Sequence, residues 1–256
     1  MNILNFVKKC HAKEKQNEEL AYSKMGTALE LYEDIIDLCS EMVTYILDST
    51  TRKSLDDSKF PSFILINRLL QFIQSIWHLT LKGYYYEASV LVRSYFEGLG
   101  LCIYLSENFE EAKRWAKGKE IKAKDIKLFD SLSKALCEIE AVPMFRRIYG
   151  QLCNYVHINS RVLPKLVESP IDATMFSTDE RNGIIINNSI PLQFDKEKVA
   201  EIPIFPLLLV FTLWKIFKEE LDEKQKRRIK NLSDGYVHKC EDILNASKKE
   251  DSLQEK

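Results

Sequence analysis

Helix-breaking residues are scarce in this chain, which has 8 glycines and 7 prolines among 256 residues. Folds built from many strands and turns use these two residues often, so their scarcity disfavours such folds. Leu, Ile, Lys and Glu are abundant instead, and most of these residues form helices readily. With 45% hydrophobic residues, a chain of this length can also bury a large core. We therefore predict a mainly α protein.

A surplus of one charge is missing as well, since Lys and Arg total 37 against 38 for Asp and Glu. A net charge of −1 gives no general attraction to nucleic acids or anionic membranes. Any site for a polyanion must then be local. The six cysteines are scattered without a C-x-x-C pair, which is typical of free thiols in a reducing cytosol.

Long apolar runs are absent too. The most membrane-like stretch, Ile202 to Phe217, has 16 residues and includes Pro203, Pro206 and Lys215. A spanning helix needs roughly 20 apolar residues, so this stretch indicates a buried core helix. The first nine residues lack the features of a signal peptide. We therefore expect a cytoplasmic protein without a membrane partner.

Several motifs of catalysis and cofactor binding do not occur in the sequence. The P-loop, the dinucleotide-binding glycine motif, the nucleophile elbow and the H-E-x-x-H zinc motif are all missing. The four histidines lie on separate segments without the spacing of metal ligands. We predict neither a cofactor nor a metal site.

Apolar residues recur with the period of a helix along most of the chain. The predicted helices cover about 17–49, 62–82, 84–106, 109–117, 123–140, a segment from Pro143 through His157, 195–221 and 223–247. Pro61 suits the first turn of the second helix, and Gly83 ends it, so the second and third helices form an antiparallel hairpin. Prolines at 203 and 206 kink the penultimate helix.

The chain shows no internal repeat and no domain linker, so we expect a single helical domain over 1–256. Residues 1–15 form an N-terminal arm and 248–256 a loose tail. The segment 160–195 is a loop and β-hairpin insertion, because Asn182-Gly183 separates two short β-prone runs within 173–188. The expected architecture is a bundle of about seven to eight helices with this small hairpin inserted.

Two charged residues interrupt the apolar third helix. Arg93 and Glu97 are one turn apart and point the same way. They form either a buried or half-buried ion pair that fixes the register of the helix, or part of a pocket in which Arg93 holds a phosphate or carboxylate. Both interpretations stay open at this point.

A second constellation lies on the helix that follows Pro143. Tyr149, Cys153, Asn154 and His157 share one face of that helix. A histidine oriented by an asparagine can act as general base toward a 2′-hydroxyl of RNA. The alternative is a histidine that caps the carbonyl end of the helix.

Two further segments have a nucleic-acid interpretation beside a structural one. The basic run 224–230 is a candidate nucleic-acid patch or a solvated helix face whose charges pair internally. The three tyrosines at 84–86 can stack on bases, or they pack the start of the third helix.

The run E-A-x-x-L-x-R-x-x-x-E at 87–97, Trp115, and Tyr149-x-x-Leu152-x-x-x-x-His157 resemble a bacterial all-helical family related to the HEPN superfamily. The resemblance covers about residues 62–160. It implies a HEPN-like helical bundle, commonly a homodimer, in defence or toxin systems. Active members of that superfamily cleave RNA without a metal through an R-x(4–6)-H motif.

This chain departs from that motif, because Leu152, Gln151 and Gly150 occupy the positions where the arginine stands. Arg93 then replaces the missing charge across the helix pair, or Arg146 reaches His157 of a second copy. Arg146 is about 16 Å from its own His157 along the helix.

The sequence therefore supports two hypotheses. The first is an RNA-binding protein or metal-independent endoribonuclease in bacterial defence or stress response. Its site residues are His157 as general base, Arg93 as phosphate holder, and Tyr149, Asn154 and Glu97 in support. The second is a non-catalytic module that dimerises or docks onto a protein partner, in which the same residues form an internal polar network.

Overall fold

The structure is a computed structural model and describes residues 3–52, 59–121 and 191–254, with side chains over 4–48, 59–121 and 191–247. Helix accounts for 89% of the interpretable residues, and no strand occurs among them. The predicted mainly α fold is therefore confirmed. The β-hairpin expected at 173–188 and the helices expected at 123–140 and after Pro143 lie outside the described residues.

The described helices lie in three stretches of the chain, 3–52, 59–121 and 191–254. In chain order they are α1 (Ile3–Arg52), α2 (Lys59–Lys82), α3 (Tyr85–Glu107), α4 (Phe109–Ala116), α5 (Lys196–Ala200), α6 (Ile204–Phe217) and α7 (Glu223–Gln254), with a 3-10 turn at Lys218–Glu220. The bounds predicted for α2, α3 and α4 agree with these to within three residues. Periodicity located these helices well because Pro61 and Gly83 mark their ends.

Both ends of the chain are more helical than predicted. The expected arm over 1–15 is the first part of α1, which begins at Ile3, and the expected loose tail is helical as far as Gln254. Neither stretch contains glycine or proline, and their long polar side chains suit a helix. The apolar pattern stops where the buried face of the helix ends, but the helix itself continues beyond that residue.

The penultimate predicted helix is divided in two. Residues 201–203 form a turn between α5 and α6, and Pro203 precedes the first residue of α6. Pro206 lies in the first turn of α6, where its missing N–H costs no hydrogen bond of the helix. The expectation of a disturbance at these two prolines is confirmed for Pro203, where the chain leaves the helix.

Helix α6 forms the centre of the core. Twelve of its 14 residues are buried, and it packs against α1, α2, α3 and α7. The Tyr95 hydroxyl of α3 donates a hydrogen bond to the Phe205 carbonyl at 2.6 Å. The Cys39 thiol of α1 donates to the Pro206 carbonyl at 3.5 Å. These two contacts fix the first turn of α6 between its neighbours.

By length and composition, two helical stretches among the described residues could cross a membrane: α3, and Lys196–Glu220, which contains α6. In the second stretch 83% of the apolar window is buried inside the protein. Its apolar surface is therefore already covered by other helices, as in the core of a globular protein. In α3 the corresponding share is 50%, because one side of this helix faces outward.

The turn between α2 and α3 is tied to two distant parts of the chain. Asn17 of α1 is fully buried, and its Nδ2 donates to the Lys82 carbonyl at 3.1 Å and to the Leu192 carbonyl at 2.8 Å. The Leu192 amide donates in turn to the Gly83 carbonyl at 3.0 Å. We call these four residues the Asn17 junction. It joins α1, the α2–α3 turn and the segment before α5.

Gly83 is required at this junction for two reasons. Its φ is +88°, a left-handed conformation that side chains with a Cβ rarely adopt. A Cβ on Gly83 would also lie 2.4 Å from Asn17 Nδ2 and 2.8 Å from the Leu192 carbonyl oxygen. The backbone can therefore pack this closely against Asn17 only because residue 83 is a glycine without a side chain.

We expect Gly83→Ala to lower the free energy of unfolding by about 2–4 kcal/mol, because it adds backbone strain and displaces Asn17. The matched control is Gly118→Ala, since Gly118 also has a positive φ of +78° but has open space around its Cβ position. That control should lose only about 1 kcal/mol. Urea unfolding followed by circular dichroism measures the free energy of unfolding of both variants. Equal losses in the two would contradict the inference that a Cβ at residue 83 clashes with the junction.

Candidate functional site

The outward side of α3 carries a continuous row of partly exposed side chains. The side of α3 that packs against α2 and α6 holds its buried residues, among them Val92, Tyr95 and Leu99. At about 100° per residue, the opposite side presents a row within an arc of roughly 80°. We call it the α3 stripe, and it consists of Tyr86, Val90, Arg93, Glu97, Leu101 and Tyr104.

Arg93 and Glu97 form an ion pair in the middle of the α3 stripe. Arg93 Nε donates to Glu97 Oε1 at 2.9 Å, and the two side chains are 29% and 40% exposed. The contact predicted from their spacing is present, in its half-buried form. Because a carboxylate lies against the guanidinium, the pair has little net charge, which weakens the attraction of Arg93 for a phosphate.

The remaining predicted site residues cannot be compared with this pair. His157, Tyr149 and Asn154 lie outside the described residues. The structure therefore brings Arg93 and Glu97 together, and their relation to His157 stays a prediction.

The basic run at 224–230 has the internal pairing expected for a solvated helix face. Lys226 Nζ lies 2.9 Å from Glu223 Oε1 on the same helix, and Arg228 contacts Glu41 of α1. The second contact joins α7 to α1, so Arg228 contributes to helix packing. Pairing within the run's own helix is thus present at Lys226, whereas Arg228 pairs with a different helix.

The tyrosines at the start of α3 are engaged within the protein. The Tyr84 hydroxyl donates to Glu14 Oε1 at 2.7 Å, and the Tyr85 hydroxyl accepts from the Asp195 amide at 2.9 Å. Both bonds attach the start of α3 to other segments. The packing interpretation therefore holds for Tyr84 and Tyr85.

Glu14 of α1 is the centre of a polar cluster that the sequence did not reveal. Its carboxylate is 15% exposed and contacts Tyr84, His11 Nδ1 at 3.4 Å and Lys82 Nζ at 3.8 Å. Burial alone would raise the pKa of Glu14, but the hydrogen bonds from Tyr84 and His11 and the charge of Lys82 lower it below its usual range. The same bond, added to burial, raises the pKa of Tyr84. Glu14 is thus held as a carboxylate.

Sequence reasoning missed this cluster because its members are far apart along the chain. Glu14 lies in the stretch expected to be an arm, and its partner Tyr84 is 70 residues away. A helix assigned from Ile3 would have placed Glu14 and Asn17 on one face, which was the only local signal.

Three cysteines and one tyrosine of the core have raised pKa values. Burial raises the pKa of the Cys39 and Cys102 thiols and of the Tyr95 hydroxyl, and it raises that of Cys240 to about 12. Thiols with such pKa values are protonated at neutral pH and are poor nucleophiles. Across 3–52, 59–121 and 191–254, no three His, Cys, Asp or Glu side chains are grouped to hold a metal ion.

Fold and site together define a mainly α protein with a central apolar helix and an outward-facing ion pair on α3. No family model, no curated protein and no solved structure matches this chain. The relation to the HEPN superfamily therefore stays a prediction from the motifs at 87–97 and 149–157.

The Arg93–Glu97 pair should contribute little to stability. We expect Arg93→Ala and Glu97→Ala each to lower the free energy of unfolding by about 0.5 kcal/mol, because exposed pairs one helical turn apart are weak. A double-mutant cycle by urea unfolding should give a coupling energy of about 0.3–0.5 kcal/mol. A loss above roughly 3 kcal/mol from either single variant would instead indicate a buried structural pair.

The Glu14 cluster should make stability depend on pH. Because folding lowers the pKa of Glu14 below its ordinary 4.5, the ionised group stabilises the folded state above that pH and loses its effect as the pH falls. We expect Glu14→Gln to lower the free energy of unfolding by about 1 kcal/mol at pH 7. This difference from the wild type should become smaller below about pH 4.

Urea unfolding between about pH 7 and pH 3 measures that gap. Glu18→Gln is the matched control, since Glu18 lies on the same helix without an ion pair in the described structure. A gap between the wild type and Glu14→Gln that does not change with pH would contradict the role of the carboxylate.

Proposed function

We propose that this chain is a non-catalytic helical module that dimerises or docks onto a protein partner. The observation that carries this proposal is the Arg93–Glu97 pair, in which the one predicted phosphate-binding cation of α3 is compensated by a carboxylate at 2.9 Å. A cation paired in this way suits the recognition of another polar surface better than the binding of a polyanion.

The surroundings of the pair support the same proposal. Val90 is 53% exposed one turn before Arg93, and Leu101 and Tyr104 continue the row on the other side of Glu97. Aromatic residues and arginine are enriched at protein interfaces. The polar groups elsewhere, such as Glu14 and Asn17, bind other parts of the same chain.

The second candidate function is RNA binding or metal-independent RNA cleavage by a HEPN-like bundle in bacterial defence or stress response. The observation that favours it is the exposure of Arg93 and Glu97, which leaves both within reach of a ligand. In this proposal His157 is the general base, Arg93 contacts phosphate, and Tyr149 and Asn154 support them.

One experiment separates the two functions. Purified wild type and His157→Ala are incubated with a mixed, labelled RNA pool in the presence of a metal chelator, after circular dichroism has shown equal helix content. We expect the RNA to stay intact with both proteins. Cleavage by the wild type that is lost in His157→Ala would overturn the proposal in favour of a ribonuclease.

A matched variant controls for the general effect of replacing a histidine in the same assay. His238→Ala removes an exposed histidine of α7 whose ion-pair contact among the described residues is one of 3.9 Å with Glu241. Cleavage that is the same in wild type, His157→Ala and His238→Ala does not depend on His157 and contradicts the predicted ribonuclease site.

A further inference from the structure

Helix α1 contains a break in its backbone. Met25 has φ −126° and ψ 25°, which are not helical values, so two helices are joined by a kink at this residue. Gly26 follows directly, and a Cβ on Gly26 would have nothing within 4 Å. Packing therefore does not require a glycine at residue 26, and its effect is to leave the backbone free to bend next to the kink. We call residues 3–24 the leading segment of α1.

Apolar burial differs strongly between the two parts of α1. After the kink, buried apolar side chains recur along the helix and include Leu31, Ile35 and Met42. Among the described side chains of the leading segment, the buried apolar ones are Cys10 and Ala21, and of these two Ala21 belongs to the main core. The hydrophobic effect therefore stabilises the position of the leading segment much less than that of the part after the kink.

Polar contacts hold the leading segment in place. Asn17 donates hydrogen bonds to the Lys82 and Leu192 carbonyls. Glu14, one turn earlier, accepts a hydrogen bond from Tyr84 and lies 3.8 Å from Lys82 Nζ. These contacts join the leading segment to the α2–α3 turn and to the segment before α5. We call Glu14, Asn17 and their three partners the latch.

The latch leaves one polar atom unsatisfied. Asn17 Oδ1 is buried and accepts no hydrogen bond from the described residues. A buried acceptor without a donor raises the free energy of the closed form, and water can donate to this oxygen once the latch opens. The free-energy difference between the closed and open forms is therefore smaller than the hydrogen bonds of the latch alone would give.

We propose that the leading segment is a hinged strap that detaches from the α2–α3 turn as one unit, by bending at Met25 and Gly26, while the rest of the fold stays intact. The latch sets the equilibrium between the closed and open forms. Detachment breaks the bond between Asn17 and Leu192, so it also weakens the attachment of the segment before α5. The strap is thus a conformational switch, and this inference does not depend on the proposed function.

Hydrogen exchange followed by mass spectrometry measures the opening in the wild type. A detached helix loses the packing that supports it and melts, so its amides exchange with solvent. The amides of residues 8–24 should share one protection factor, at least roughly 100-fold lower than that of residues 28–46. Residues 3–7 are left out of the comparison because every helix end frays.

Variants of the latch should change the exchange of the leading segment alone. Tyr84→Phe removes the hydroxyl that donates to Glu14, so it should raise the exchange rate of residues 8–24 about fivefold or more. Asn17→Ala should raise this rate at least roughly tenfold, because two carbonyls lose their donor. Neither variant should change residues 28–46, and Tyr84→Phe tests the latch if Asn17→Ala does not fold. Tyr22→Phe is the matched control, since Tyr22 is 56% exposed on the leading segment, and it should change neither stretch.

A variant of the hinge should act in the opposite direction. Gly26→Ala should lower the exchange rate of residues 8–24 about two- to fivefold, because the added Cβ has room in the closed form and restricts the backbone of the open form. Gly235→Ala is the matched control, since a Cβ on Gly235 of α7 also has nothing within 4 Å. This control should leave the exchange of residues 8–24 unchanged.

Each outcome either supports or overturns the strap. Equal protection of residues 8–24 and 28–46 overturns it, because the leading segment then opens only when the whole protein unfolds. Protection that falls gradually toward residue 8 overturns it as well, since the helix then frays from its end. Latch variants that accelerate both stretches equally act through global stability and overturn the role of the latch. Equal effects of Gly26→Ala and Gly235→Ala on residues 8–24 overturn the hinge.

Discussion

The burial of α6 is the constraint on which the rest of the structure depends. Twelve of its 14 residues are buried, so this helix is stable only when other helices cover most of its surface. Helices α1, α2, α3 and α7 supply that cover, and the Tyr95 hydroxyl and the Cys39 thiol fix the depth and rotation of its first turn. Once α6 is surrounded, each covering helix has one side toward the core and one side left for other contacts. The α3 stripe is the side that remains on α3.

The helices were predictable from sequence where local chemistry marks both ends. Pro61 and Gly83 bound α2, and Gly83 also determines where α3 starts, so these limits came within three residues. The first residue of α1 and the last residue of α7 were placed wrongly because no residue there breaks a helix, and periodicity alone shows only where a helix is covered. The central position of α6 was only partly predictable. An apolar run indicates that a helix is buried, but it does not indicate which helices pack against it.

The candidate site shows the same division between local and distant information. Arg93 and Glu97 were predictable as a pair because a helix brings residues four apart together whatever the tertiary fold. The contacts of Glu14 with Tyr84, and of Asn17 with Leu192, depend on how helices pack, which a single sequence does not encode in any spacing. The proposal that this pair contacts a protein partner rests on its surroundings, which are aliphatic and aromatic side chains.

The Asn17 junction also has a consequence for the order in which the chain assembles. Asn17 and Leu192 are 175 residues apart, so a growing chain on the ribosome carries α1 long before it carries the carbonyl that Asn17 binds. The α2–α3 hairpin can form early because its two helices are adjacent in the sequence. The apolar side of α1 is covered only when α6 is present. During that interval α1 exposes surface that invites aggregation or a chaperone, and its charged outer side keeps the nascent helix soluble. The helices that pack on α6 can therefore form the core only after residues 191–217 have been synthesised.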